Sequence, residues 1–226
     1  MKENRFTREP QYKNLLELKQ AKGLTSLGLM TNQVWHDDPK RLSFILARYK
    51  FVSKMLSGKE TALEVGCGDS FGSRIILQEV KSLVAIDFDP VFVKDVKERM
   101  YDKWKYECLE HDILSSPLNR NFNAAFSLDV IEHINARDEE KFIQNIAHSL
   151  KRTGVLIIGT PSIYSQEYAS RQSREGHVNC KNADELKHLI SKHFNNVFIF
   201  SMNDEVVHTG FYPMAHYYFA LACGPK

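Results

Sequence analysis

Residues 62–72 read Ala-Leu-Glu-Val-Gly-Cys-Gly-Asp-Ser-Phe-Gly, a short apolar run that breaks into two glycines one residue apart. The run predicts a short strand interrupted by one acid, Glu64. Gly66 and Gly68 predict a turn whose backbone takes positive φ and lets a ligand approach without meeting a Cβ. Asp69 and Ser70 then supply capping chemistry for a helix from about Ser70 to Val80. Strand, glycine turn and helix in that order form a nucleotide-type binding element of an open α/β sheet. The same alternation continues downstream. Ser82–Ile86, Tyr106–Ile113, Phe122–Leu128 and Gly154–Gly159 read as strands, with helices expected over Pro90–Tyr101 and Arg137–Leu150. Strands that alternate with helices predict a parallel sheet covered on both faces. The end of the chain differs. Asn196–Met202 and His216–Cys223 are two apolar runs with no helix between them, which predicts an antiparallel hairpin.

The ligand class follows from details of the turn. A dinucleotide fingerprint needs glycines at relative positions 1, 3 and 6. Here the third position falls on Phe71, with the next glycine at Gly72. Glu64, two residues before the first glycine, would repel a pyrophosphate but suits a ligand that carries an ammonium. S-adenosylmethionine has an amino-acid end and no phosphate.

At this point the chain resembles the class I S-adenosylmethionine-dependent methyltransferases. Glu64-Val65-Gly66-Cys67-Gly68 matches their first motif. Asp87, in Asp87-Phe88-Asp89-Pro90, lies 21 residues after Gly66 at the tip of the second strand, where a carboxylate accepts hydrogen bonds from ribose hydroxyls. The resemblance implies an adenine contact at Asp112-Ile113 and a fourth-strand motif at Asp129-Val130-Ile131-Glu132-His133. It further implies a Rossmann-like, mostly parallel sheet of seven strands with an antiparallel terminal hairpin and helices on both faces. S-adenosylmethionine is the cofactor it implies, held by Glu64, Gly66, Cys67, Gly68, Asp87, Phe88, Asp112, Ile113 and Asp129. In many relatives a helix before the first strand covers the cofactor. Residues 1–57 are expected to form such a helical cap, with Arg48 meeting the methionine carboxylate and Trp35 as a lid. Residues 58–226 would be the methyltransferase domain.

Methyl transfer from a sulfonium is an in-line displacement, so the protein has to align the reactants, exclude water and take a proton from a hydroxyl or ammonium acceptor. Histidine suits that last task. Three candidates stand out: His133 beyond the fourth strand, His177 in the long segment 161–189, and His208 in the connection between the terminal strands. A polar segment as long as 161–189 reads as a lid or binding loop. Its Gly-His-Val-Asn resembles small-molecule members related to ubiquinone-biosynthesis methyltransferases. Structural roles for each histidine stay open on the sequence. Asp129, Glu132 and His133 carry atom types that bind divalent cations, yet no second acidic cluster completes a shell, and no metal is expected.

Composition narrows the partners. The 226 residues are 43% hydrophobic, enough for one large core. Thirty basic residues against 28 acidic ones leave a net charge of +2 with no basic run, so no nucleic acid is expected. No stretch is apolar enough to span a bilayer, and no membrane is expected. Cys67, Cys108, Cys180 and Cys223 lack metal or disulfide-framework spacing, which predicts reduced thiols in a cytoplasmic protein. The expected activity is methylation of an oxygen or nitrogen of a small-molecule metabolite. The alternatives are methylation of a macromolecule and a cofactor-binding, non-catalytic partner; the oligomeric state is not readable.

Overall fold

The computed structural model describes residues 7–226; the first six residues of the expected 1–57 cap lie outside the described residues. Helices α1 (Lys13–Lys22), α2 (Leu29–Asp37) and α3 (Lys40–Met55) precede strand β1 (Thr61–Val65). The chain then runs through α4 (Ser73–Ile76), β2 (Ser82–Asp87), α5 (Pro90–Glu98), β3 (Glu107–Glu110), β4 (Phe122–Leu128), α6 (Glu139–His148) and β5 (Leu150–Pro161). After α7 (Arg171–Gly176) and α8 (Ala183–Ser191) come β6 (Phe194–Asn203), β7 (Val206–His208) and β8 (Tyr217–Pro225).

All eight strands join one sheet in the order β3-β2-β1-β4-β5-β8-β6-β7. β1 pairs in parallel with both β2 and β4, and β8 runs antiparallel between β5 and β6. The expected count of seven strands is corrected to eight among the described residues. The addition is β7, three residues in the β6–β8 connection that pair Val206–His208 back onto Ser201–Asn203 at the sheet edge. A pairing that short leaves no alternating pattern to read.

Side-chain alternation along the strands sorts the core into two faces. Leu63, Val65, Ala125, Leu156 and Ile158 face α6 and α8, meeting Phe142, Ile143, Ile146, Leu186 and Ile190. Ala62, Ala124, Phe126 and Ile157 face the other way, onto Val52, Leu56 and Ile76. α3 therefore belongs to the sheet's own helical layer. Tyr49 stands edge-on to Phe126, and Phe51 packs on Phe219 at 4.5 Å. α1 buries none of its residues.

The helix expected over Ser70–Val80 shrinks to the four residues of α4, because Ser70 takes φ +53° and the chain enters the helix only at Ser73. α5 starts as expected: Asp89 accepts the N–H of Val91, and Pro90 occupies the first turn. α8 opens with a capping box between Asn182 and Glu185. Among the described residues no helix is long and apolar enough to cross a membrane.

Phe126 is fully buried where β4 meets α3, so Phe126→Ala should cost about 3–5 kcal/mol of folding stability. Urea denaturation followed by circular dichroism reads that loss; a loss below about 1 kcal/mol would mean that the β4–α3 layer repacks freely.

Candidate functional site

The winding direction of the sheet reverses between β1 and β4, and the loops at the carboxyl ends of the parallel strands gather over that point. The turn after β1 lies there. The N–H groups of Gly66 and Cys67 both donate to the Ile86 carbonyl, tying the turn to the end of β2. Gly66 holds φ +71° and Gly68 φ +51°, both in the left-handed region. A Cβ at Gly66 would meet the Val130 side chain at 2.5 Å.

Asp87 backs this turn. Its Oδ2 accepts the Gly68 N–H at 2.8 Å and its Oδ1 accepts the Asp89 N–H at 3.0 Å. One carboxylate thus shapes the turn while each of its oxygens keeps a second lone pair. Phe88, beside it, is 73% exposed. Asp112 is exposed just beyond β3, its carboxylate capping the Leu114 N–H at 2.8 Å. Ile113 is buried, its carbonyl taking a 2.7 Å bond from Asn145. Cys67 is buried within the turn beside Cys108, and contact with that thiol together with burial pushes its pKa up. It is a packed side chain and not a nucleophile.

Glu64 does not face open space. It is 2% exposed and points from β1 toward α3, where Tyr49 donates to Oε1 at 2.7 Å and Ser73 and Ser70 donate to Oε2. Burial raises its pKa from 4.5 to about 7, against the lowering effect of those hydroxyls. Both oxygens of Glu64, expected at an ammonium, hold the base of the turn together.

Asp69 is a residue that the sequence reading passed over as a mere cap. Its Oδ2 accepts the Thr31 N–H of α2 at 2.6 Å, and a Cβ at Gly28 would collide with its side chain. Asp69 so clamps the start of α2 onto the glycine turn, and the Met30 sulfur rests 2.6 Å from where a Gly68 Cβ would stand. Trp35, expected as the lid, is 52% exposed on the same helix, and Met30 is the residue that lies against Gly68.

The loop after β4 builds the second half of the site. Asp129 has φ +57° and is gripped by Arg48, whose Nη1 donates to both carboxylate oxygens at 2.8 and 2.7 Å. The guanidinium lies 3.8 Å above the Tyr217 ring. Burial works against its charge and the Asp129 carboxylate more than offsets that, leaving its pKa above the ordinary value. Arg48 and Asp129, both expected on the cofactor, are paired with each other. Glu132 is fully buried; Thr160 donates to Oε2 at 3.1 Å while Oε1 has no partner. Burial and the nearby Asp129 raise its pKa to about 8.

The segment 161–189 returns to this point. Its base is pinned by a bridge between Ser162 and Lys181, and it carries α7 over the site. The carbonyl of Glu132 accepts the N–H groups of Val178 and Asn179, which brings His177 beside His133 with ring centroids 5.1 Å apart. Gln33 of α2 donates to Gln172 of α7 at 3.1 Å, so the two covers meet. Below α7 a cleft of about 320 Å³ is lined by Ile163, Gln166, Arg174, His177, Asn179 and Cys180. His208 is not part of this cluster. Its Nε2 is bonded to Asn203 at 2.8 Å and its Nδ1 accepts the Gly210 N–H at 2.9 Å, so neither nitrogen is free to take a proton.

Comparison with known proteins bears on this geometry. A family model described as a methyltransferase domain matches residues 63–158. A probable S-adenosylmethionine-dependent methyltransferase of Mycobacterium tuberculosis is 28% identical over 148 residues, covering 63% of this chain and 52% of that protein. The chain thus spans about half the length of the curated relatives it matches. Among solved structures, the N-methyltransferase NodS of Bradyrhizobium japonicum, in complex with S-adenosyl-L-homocysteine, aligns with a TM-score of 0.61 at 18% identity, over 85% of this chain and 91% of that one. An S-adenosylmethionine-dependent methyltransferase of Clostridium acetobutylicum aligns with a TM-score of 0.66 at 12% identity, over 86% and 99%. At those identities the two structures share the fold.

Glu64 supplies a pH test. The folded chain holds its proton more tightly than the unfolded chain, so its contribution to stability is present below pH 4.5 and is lost as pH rises through about 7. Glu64→Gln stays neutral and escapes that loss. Relative to the variant, the native protein should lose roughly 3 kcal/mol between pH 4.5 and 8, by the rule of about 1.4 kcal/mol per pKa unit. Denaturant midpoints measured across that range check it, and parallel curves would contradict the buried acid.

Proposed function

We propose, from the premise that residues 63–158 form a methyltransferase domain that uses S-adenosylmethionine, that this protein transfers a methyl group to an oxygen or nitrogen of a small-molecule metabolite. The observation that carries the reading is the turn at the carboxyl end of β1, with two positive-φ glycines backed by the Asp87 carboxylate. It exposes bare backbone to a ligand and sets an acceptor of ribose hydroxyls beside it.

The residues present fit the cofactor. Asp87 is assigned to the ribose, Gly66, Cys67 and Gly68 to close backbone contact, Asp112 and Ile113 to the adenine side, and exposed Phe88 to the face of the base. Met30 has to swing off Gly68 for a ligand to reach the turn, and an unbranched thioether side chain does so readily. When bound, the cofactor supplies a methyl group already activated on a sulfonium. The chain's own work is to orient the acceptor, keep water out beneath α2 and α7, and accept a proton.

His133 and His177 are the groups for that proton. The carbonyl of Gly176 lies 2.8 Å from Nδ1 of His133, and Oε1 of Gln166 lies 2.8 Å from Nδ1 of His177. Acceptors at Nδ1 leave Nε2 of each neutral ring with a free lone pair. Burial and the neighbouring His133 hold His177 below its ordinary pKa, so it is neutral at pH 7. The cleft beside it has the size of a small-molecule pocket, which favours a metabolite over a macromolecule. Four free cysteines suit the reducing cytoplasm that this reading assumes.

Calorimetric titration with S-adenosylhomocysteine should give one saturable site, and NAD should give none. Ligand at about 100 times its dissociation constant should add about 2.7 kcal/mol of stability. Asp87→Asn should weaken S-adenosylhomocysteine at least about tenfold, the equivalent of 1.4 kcal/mol; absence of binding to the native protein would defeat the reading. With an acceptor found by screening hydroxylated and amine metabolites for S-adenosylhomocysteine release, His133→Asn and His177→Asn should each slow turnover about 10²–10⁴-fold. His208→Asn should leave it near the native rate, and a loss there would move the proton-accepting role to the β6–β8 connection.

A further inference from the structure

Glu132, His133 and His177 each offer one ligand atom, and the three atoms lie within 4.8 Å of one another. From this cluster we propose that the chain holds a divalent first-row transition ion at the mouth of the cleft, bound by two imidazoles and one carboxylate. The sequence reading weighed Asp129 with Glu132 and His133 and expected no metal for want of further ligands. The missing one is His177, which lies 45 residues after Glu132 and is returned to it by the two hydrogen bonds that the Glu132 carbonyl accepts from Val178 and Asn179.

Each ligand is preset. Nδ1 of His133 faces the carbonyl of Gly176, which only accepts, so that nitrogen carries the hydrogen and Nε2 is free. Gln166 fixes His177 in the same way. Its amide nitrogen donates to the Ser162 carbonyl at 3.1 Å, so its oxygen is the atom that faces Nδ1 of His177. Metal-binding histidines are held by this kind of outer hydrogen bond, which sets tautomer and ring orientation. The carboxylate is the second, independent observation. Glu132 is fully buried, Thr160 satisfies one oxygen, and Oε1 has no partner. A buried carboxyl oxygen without a donor has room for a cation, and the two imidazoles gathered around it supply the further ligands. Asp129 is already matched by Arg48 and stays out of the set. Imidazole ligands favour zinc, iron, cobalt or nickel over magnesium and calcium.

Three protein ligands leave coordination positions open. On the methyltransferase reading, on which this one consequence rests, an acceptor hydroxyl bound there would give up its proton to solvent, the ion taking over the activating role that the two free Nε2 lone pairs have in its absence, and oxygen acceptors would be preferred.

The test uses the whole chain, stripped of metal with a chelator and titrated with Co²⁺ while visible absorption is recorded. One Co²⁺ per chain with ligand-field bands of an imidazole site is expected. Glu132→Gln and His177→Ala should each lower its affinity at least about 100-fold, and His188→Ala, an exposed histidine on α8, should leave it unchanged. Circular dichroism and S-adenosylhomocysteine titration of the same variants report whether they are folded. Absence of saturable uptake by the native chain overturns the proposal, as does uptake equally strong in Glu132→Gln and His177→Ala. A chain that binds S-adenosylhomocysteine but no Co²⁺ overturns the metal site alone; one that binds Co²⁺ but no S-adenosylhomocysteine supports it and defeats the methyltransferase reading.

Discussion

A sheet whose central strands run parallel must be covered on both faces, because each crossover lays a helix against it. That requirement organises this molecule. β1 pairs in parallel with β2 on one side and β4 on the other, so the chain winds outward in two directions from the same strand. The strand exits of β1, β2, β4 and β5 then open on one edge. Gly66, Asp87, Asp129 and Pro161 follow or end those strands, and they are neighbours in space for that reason alone.

Beneath this edge Glu64 and Glu132 are buried and Asp129 is half-buried, and each of the three is satisfied differently. Glu64 is surrounded by hydroxyls from α3 and the start of α4, a neutral arrangement that matches its raised pKa of about 7. Asp129 is charge-matched by Arg48, whose guanidinium is stacked on Tyr217. Its Nη1 alone reaches both carboxylate oxygens, a charge-assisted contact that holds the β4 loop against α3. Glu132 has one oxygen partnered and one not. Buried polar atoms are nearly always paired, and this oxygen, with Nε of Arg48 and the Tyr217 hydroxyl close by, is among those left without a partner here. The glycine turn is rigid backbone held by backbone bonds, whereas its covers, α2 and α7, touch one another through side-chain amides. Rigid floor and separable covers suit a site that must admit and then enclose a ligand.

The strands were legible because a buried parallel strand is a short apolar run bounded by turn residues, and 62–65, 82–86, 122–128 and 154–159 all have that form. The first helix after the turn was misjudged in length. Ser70 and Ser73 look like ordinary helix-start residues, yet their hydroxyls are recruited by Glu64, and Ser70 leaves helical φ to reach it. Arg48 sat at a plausible position for a cofactor contact, but its partner stands 81 residues downstream, and no local pattern announces a pair that distant. Met30 belongs to no motif, and it is the clamp between Asp69 and the start of α2 that brings it onto the turn. β7 was missed since a three-residue pairing follows from the path of the connection and not from its composition.

The amino-acid sequence alone determined the order of strands and helices, the glycine turn, and the acid at the tip of β2. These depend on neighbours within a few residues, through side-chain period and backbone φ. Only the tertiary structure decided which polar groups meet. The pairing of Arg48 with Asp129, the clamp of Asp69 on α2, and the meeting of His177 with Glu132 and His133 join residues tens of positions apart. Such contacts exist because the sheet brings separate loops to one edge, and burial there leaves each charge to find its partner in space.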